Sequence, residues 1–152
     1  MSESQPSPID VAHAMWADDR ASQSHGFQLL HVTENSATLS AVVRDDMVNG
    51  LGVCHGGILF LLADSAMAYA TNAGNAVALA TAASIDFVAP ARLGDTLTAR
   101  AEHRWSGGRI TLSDVVVTAL TPGDDESKTV ASFHGRTSRT GGHVISIPIS
   151  VS

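Results

Sequence analysis

The sequence predicts an α+β domain in which an antiparallel sheet wraps around one long buried helix. Three observations carry this. Residues 57–72 are apolar on nearly every helical face, so the helix must be covered on nearly every side. Residues 96–105 alternate, with Leu97, Ala99, Ala101, His103 and Trp105 on one face and Thr98, Arg100, Glu102 and Arg104 on the other. Turn signals at Ser106-Gly107-Gly108-Arg109 and Thr121-Pro122-Gly123-Asp124-Asp125 join successive strands so tightly that most neighbours must pair antiparallel.

The elements follow in order. Pro8 suits a first helical turn, and Ile9, Ala12 and Trp16 recur at helical spacing, giving a short helix closed before Gly26. Residues 27–32 and 37–43 read as strands joined by Glu34-Asn35-Ser36. Polar Arg44-Asp45-Asp46 and then Asn49-Gly50-Leu51-Gly52 form a Gly-rich loop leading into the long helix, which Gly74-Asn75 ends. Residues 77–89 form a strand stopped by Pro90, and 96–105, 110–120 and 129–137 complete the set. The expected organisation is a helical segment over 1–25, one domain over 26–142 and a tail over 143–152. The uncharged tail reads equally as a packed strand or a disordered end.

Composition bounds the function. At 152 residues the chain suits one domain with a sizeable core. Apolar residues are 44% and charged ones 16%, a balance that excludes disorder and points to surface covered by another subunit. A formal charge of -6 argues against a nucleic-acid partner, which needs a basic face. Cys54 is the single cysteine, so no intrachain disulfide forms and a reducing compartment is expected. Residues 1–9 lack the basic and apolar regions of a secretory signal, and the apolar stretch 58–73 is too short and too interrupted to span a bilayer. The expectation is a cytoplasmic protein without a membrane partner.

The chemistry centres on Asp64. Between Asp46 and Asp86 there is no Lys, Arg or Glu, and Asp64 is the lone acid inside Ile58-Leu59-Phe60-Leu61-Leu62-Ala63 and Ala66-Met67-Ala68-Tyr69-Ala70. Such a carboxyl loses solvation and needs a partner or a purpose. Just upstream, Gly56-Gly57 offers bare backbone N–H groups at a helix start, where the dipole favours anions. One carboxylate and one anion hole suffice to hydrolyse an ester or thioester.

The pattern Asn49-Gly50-x-Gly52-x-x-His55-Gly56-Gly57-x-x-Phe60-x-Leu62-Ala63-Asp64, followed by Ile85-Asp86-Phe87-x-x-Pro90-Ala91-Arg92-x-Gly94-Asp95, resembles the hotdog-fold acyl-CoA thioesterases of the phenylacetic-acid-degradation type. The likeness spans roughly residues 26–142. It implies a hotdog fold, edge-to-edge homodimers that often pair into tetramers, and hydrolysis of an acyl-CoA thioester without metal or other cofactor. By the same resemblance the carboxylate maps to Asp64, the amide side chain to Asn49, the helix-start glycine to Gly57, the motif histidine to His55 and, more loosely, a hydroxyl position to Thr81. Gly56 and Phe60 are expected to touch substrate. Arg92 and Arg109 rank first among Arg92, Arg109, Arg136 and Arg139 as holders of the CoA phosphates, because they fall in loops that face the ligand in similar enzymes. The resemblance alone implies an aromatic acyl-CoA, phenylacetyl-CoA or a hydroxylated relative, as the leading substrate class, with medium-chain and other acyl groups left open.

Asp64 acts in this reading as general base or as nucleophile, and the Gly57 amide as oxyanion donor. The two are seven residues apart, about 10 Å along a helix at about 1.5 Å per residue. One helix is poorly suited to bring both to one carbonyl, so two chains packed antiparallel are expected to share each site. Rival readings keep the fold and change the activity: an acyl hydratase or dehydratase, or a non-enzymatic acyl-CoA sensor. Adjacent Cys54 and His55 mimic a nucleophile and its base, yet neighbouring side chains usually diverge, and a small buried cysteine is expected. The seven histidines show no metal-ligand spacing, and no metal is expected.

Overall fold

The computed structural model describes residues 4–147. Helix α1 (Pro8–Asp18) starts on a capping box in which Ser7 and Asp10 satisfy each other's backbone, with Pro8 in the first turn. It buries Val11 and Ala12, whereas Ile9 is exposed. A short α2 (Arg20–Ser24) follows, capped by Asp19. Then come β1 (Gln28–Val32), β2 (Ser36–Val42), the long α3 (Gly56–Asn72), β3 (Ala76–Phe87), β4 (Thr96–Gly107), β5 (Ile110–Leu120) and β6 (Lys128–His143). Each expected element is present, with ends shifted by a few residues. No helix among the described residues is long and apolar enough to cross a membrane.

The strands form one antiparallel sheet in the order β1-β2-β4-β5-β6-β3. Local turns explain the hairpins β1–β2, β4–β5 and β5–β6. They do not explain β3, which leaves α3 and crosses to the far edge beside β6. The sheet curls around α3. Leu59, Leu62, Ala63, Ala66, Met67 and Ala70 of the helix pack on Leu39, Ala99, Ala101, Val115, Val117 and Phe133 of the strands. Small sheet residues let the helix come close: a Cβ at Gly135 would overlap Met67 Sδ.

Two polar ties fix the end of α3. Asn72 Oδ1 accepts from the Ala78 N–H at 2.9 Å and its Nδ2 donates to the Ala68 and Ala78 carbonyls. Asn75 takes φ 71°, a left-handed conformation that Asn tolerates, and its side chain pairs with both backbone groups of Ile145. The start of the tail is thus held; residues 148–152 lie outside the described residues.

The alternation along β4 holds only in part. Leu97, Ala99 and Ala101 are buried and His103 is half-buried, with its Nε2 3.2 Å from the Ala70 carbonyl. Between His103 and Trp105 the register slips, so Arg104 is an extra residue in a β-bulge. Trp105 is therefore turned out and 54% exposed, against the inward position that strict alternation assigns it.

Candidate active site

The start of α3 is built by its cap. His55 is the N-cap residue in extended conformation, and its carbonyl accepts from the Ile58 and Leu59 N–H groups. Its ring Nδ1 accepts from the Gly57 N–H at 2.9 Å. This corrects the expectation that Gly57 supplies the oxyanion donor, because its amide proton already has an acceptor. The Gly56 N–H has none among the described residues, and the free donor is one residue earlier than the motif reading put it. The bond also makes the His55 Nδ1 an acceptor, so the ring's proton sits on Nε2 when neutral.

Asn49 enters from the loop before the helix. Its Oδ1 accepts from the Leu51 and Val53 N–H groups at 2.9 and 3.2 Å, which folds the loop back on itself. Gly52 sits at φ 78°, where a side chain would be strained. With Oδ1 committed, the Asn49 NH2 has no acceptor among the described residues. The loop is anchored by Cys54 N–H to Ala91 O and His55 N–H to Met47 O, at 2.8 and 2.7 Å. Asn49 and Gly56 thereby line one cleft of about 380 Å³, with Cys54, Leu59, Phe87 and Pro90 as its apolar walls. Phe87 is a wall residue that the motif contained without revealing its role. Its ring lies so close to Gly56 that a Cβ there would come within 3.0 Å of it.

Asp64 lies eight residues beyond Gly56, about 12 Å along the helix. It is half-buried, has no hydrogen-bond partner among the described residues and does not line the cleft. Loss of solvent holds its carboxyl above the ordinary aspartate range. One chain therefore brings together Asn49, His55 and Gly56 and leaves Asp64 apart.

The remaining candidates scatter. Thr81 is the extra residue in a bulge of β3, and its hydroxyl accepts from Arg136 Nε at 3.0 Å. Phe60 is partly exposed and meets Phe133 edge to face at 5.2 Å. Arg92 and Arg109 sit at opposite ends of β4, about 35 Å apart for a strand rising about 3.3 Å per residue. Within one chain they cannot grip the same phosphates. Cys54 is buried, and desolvation followed by the charge of Asp95 pushes its thiol up to about 11, so it is no nucleophile at neutral pH.

At the sheet's edge, β3 offers a long free strand. Leu79, Ala80, Thr81, Ala82, Ala83 and Ser84 are all exposed, with no proline or lysine to discourage pairing.

A family model, the thioesterase superfamily, matches residues 51–125. The acyl-coenzyme A thioesterase PaaI of Escherichia coli is 39% identical over 133 residues, covering 88% of this chain and 91% of that protein. The chain belongs to the thioesterase superfamily. Its six-stranded sheet around a central helix is the hotdog fold. The solved structure of the E. coli PaaI protein from the phenylacetic acid degradation operon superposes with TM-score 0.84 at 38% identity, over 90% of this chain and 95% of that one. A mutant of the phenylacetic acid degradation protein PaaI from Thermus thermophilus superposes with TM-score 0.73 at 32% identity, over 80% and 99%. This thioesterase is accordingly of the PaaI type. The motif around His55 and Asp64 lies inside the matched segment, while α1 and α2 precede it.

Proposed function

We propose that this thioesterase hydrolyses acyl-CoA, with an aromatic acyl group of the phenylacetyl type, at a site shared by two chains. The observation that carries the shared site is the separation just described: unpaired amide donors in one cleft, and an unpaired, desolvated carboxyl two turns away along the same helix. A second chain pairing antiparallel along the β3 edge brings its Asp64 toward the first chain's Gly56, and two equivalent sites result. The same pairing sets Arg92 of one chain at the end of the sheet that holds Arg109 of the other. Pairs of such dimers extend the assembly to a tetramer.

In the reaction, the thioester carbonyl rests against the Gly56 N–H at the positive end of α3. The Asn49 NH2 supplies a second donor from the same cleft. As water or the carboxylate adds to the carbonyl carbon, negative charge grows on that oxygen, and donors already in place stabilise it by about 3–4 kcal/mol. Asp64 acts as base on water or as nucleophile, the raised carboxyl being a stronger base than an exposed aspartate. His55 holds the helix start rigid through Gly57. The apolar walls Leu59 and Phe87 suit an aromatic acyl group, as does the phenylacetic acid degradation operon from which the E. coli PaaI structure comes.

The test mixes Asp64→Asn chains with Gly56→Val chains. Each homo-oligomer is expected to be inactive on phenylacetyl-CoA, and the mixture to regain one working site per heterodimer, read by release of CoA thiol. No recovery in verified heterodimers sinks the shared site. Tight acyl-CoA binding without thiol release by the wild type sinks the hydrolase reading in favour of a sensor, and hydration of an enoyl-CoA sinks it in favour of a hydratase.

A further inference from the structure

The bulge at Arg104 has a definite product. It turns Trp105 out of the inner row and onto the outer face of the sheet, away from α3. The six-membered ring of Trp105 then lies over Gly107, where any Cβ would collide with it. Bulge and glycine together lay a large aromatic surface against the sheet, half in solvent. Cross-strand pairing sets Trp105, Leu112, Arg136 and Ala82 in one row across β4, β5, β6 and β3. A shallow groove of about 280 Å³ lies on the Leu112, Arg136 and Ala82 part of this row, beside Trp105, and is lined also by Ser84, Arg104 and His134.

The groove is basic in a chain of formal charge -6. Arg136 spends only its Nε, on Thr81 Oγ1, and has no carboxylate partner among the described residues. Arg104 spends its Nε on Asp114 Oδ1 at 3.1 Å, and the same oxygen is 2.7 Å from His134 Nδ1. One carboxylate thus faces two bases, and both guanidinium groups keep their terminal N–H donors for another anion. Arg136 lies two strands from Trp105, about 10 Å, which suits a ligand carrying an aromatic ring at one end and phosphate at the other.

We propose that Trp105, Arg104 and Arg136 hold the adenosine 3′,5′-bisphosphate end of coenzyme A, with adenine on the indole and phosphate on the guanidinium groups. This rests on the acyl-CoA reading and adds to it the place of the nucleotide. Stacking on an exposed indole suits a nucleobase, and planar guanidinium donors suit phosphate. Arg109 sits in the turn between β4 and β5, at the same end of β4 as Trp105.

The test compares one acyl group as its CoA ester and as its pantetheine ester, which lacks the nucleotide. The ratio of kcat/KM, CoA ester over pantetheine ester, is expected to fall about tenfold in Arg136→Ala and severalfold in Trp105→Ala, with the oligomeric state by sedimentation unchanged. In a Trp16→Phe background, free adenosine 3′,5′-bisphosphate is expected to quench the remaining indole fluorescence, and Arg136→Ala to abolish the quenching. This second reading decides the matter should Trp105→Ala fail to fold. A ratio that stays at the wild-type value, in enzyme that hydrolyses both esters, overturns the subsite and leaves the acyl-CoA reading standing. Loss of the ratio only together with dissociation of the oligomer marks this face as a contact between copies and also overturns it. Hydrolysis of neither ester by the wild type overturns the acyl-CoA reading itself.

Discussion

The assignment of the oxyanion donor to Gly56 rather than Gly57 is tested by one methyl group placed at each position in turn. A Cβ at Gly56 falls 3.0 Å from Phe87 Cζ and 3.1 Å from Cε1, tighter than ordinary contact. The Phe87 side chain is more than half exposed and its ring can yield, but the methyl remains in the cleft between the free amide and the acyl pocket. Approach of the thioester oxygen is blocked, and loss of one such donor corresponds to about 10²–10³-fold in kcat. Folding should not suffer, since Ala gains about 0.5–1 kcal/mol over Gly in a helix. A Cβ at Gly57 instead falls 3.0 Å from His55 Nδ1 and disturbs the cap. Losing that cap costs about 1 kcal/mol, which the helix propensity of Ala offsets, so stability stays near that of the wild type. The Gly57→Ala enzyme is expected to keep kcat within a few fold. Thiol release from phenylacetyl-CoA, followed alongside thermal melts, reads both. The opposite ranking, with Gly57→Ala crippled and Gly56→Ala active, refutes the assignment and means that His55 lets go of the Gly57 amide during turnover.

Three further outcomes follow from the same structure. Asp64→Asn should lower kcat by about 10²–10⁴-fold without loss of folding. Desolvation raises the Asp64 pKa above 3.8, so as pH rises the unfolded chain ionises first and stability falls until the folded group has ionised too; the Asn variant should lack this fall, and the wild-type activity should climb over a pH range above the usual aspartate value. A wild-type melting profile identical to that of the variant at every pH contradicts it. With the Cys54 thiol near 11, Cys54→Ala should retain nearly full turnover and iodoacetamide should react slowly with the native enzyme; inactivation at the rate of a free thiol contradicts this. Tyr69 donates its hydroxyl to Asp19 Oδ2 at 2.9 Å and meets the Trp16 ring at 6.0 Å, tying the N-terminal helices to α3. Tyr69→Phe should lower stability by about 1 kcal/mol, about 3 °C in Tm for a chain of this size, with kcat preserved; a large kcat loss at unchanged Tm would give Tyr69 a role in the chemistry instead.

The sequence by itself determined whatever depends on near neighbours. The apolar run 57–72 made α3, Ser7 and Pro8 started α1, and Gly108 and Gly123 turned the hairpins, because caps, periods and turns are set within a few residues. The motif Asn49 to Asp64 placed the candidate residues on one loop and one helix for the same reason: loop and helix are continuous in the chain. Tertiary structure alone decided three things. It carried β3 to the far edge beside β6, since strand partners are chosen by which surfaces remain to be buried. It turned Trp105 outward, since a bulge arises from pairing against β5 and leaves no mark in the alternation of β4. It also gave the Gly57 proton to His55 and left the Gly56 proton free. Two adjacent glycines are equivalent in composition and become different only when a ring nitrogen, placed by the cap geometry, comes within 2.9 Å of one of them.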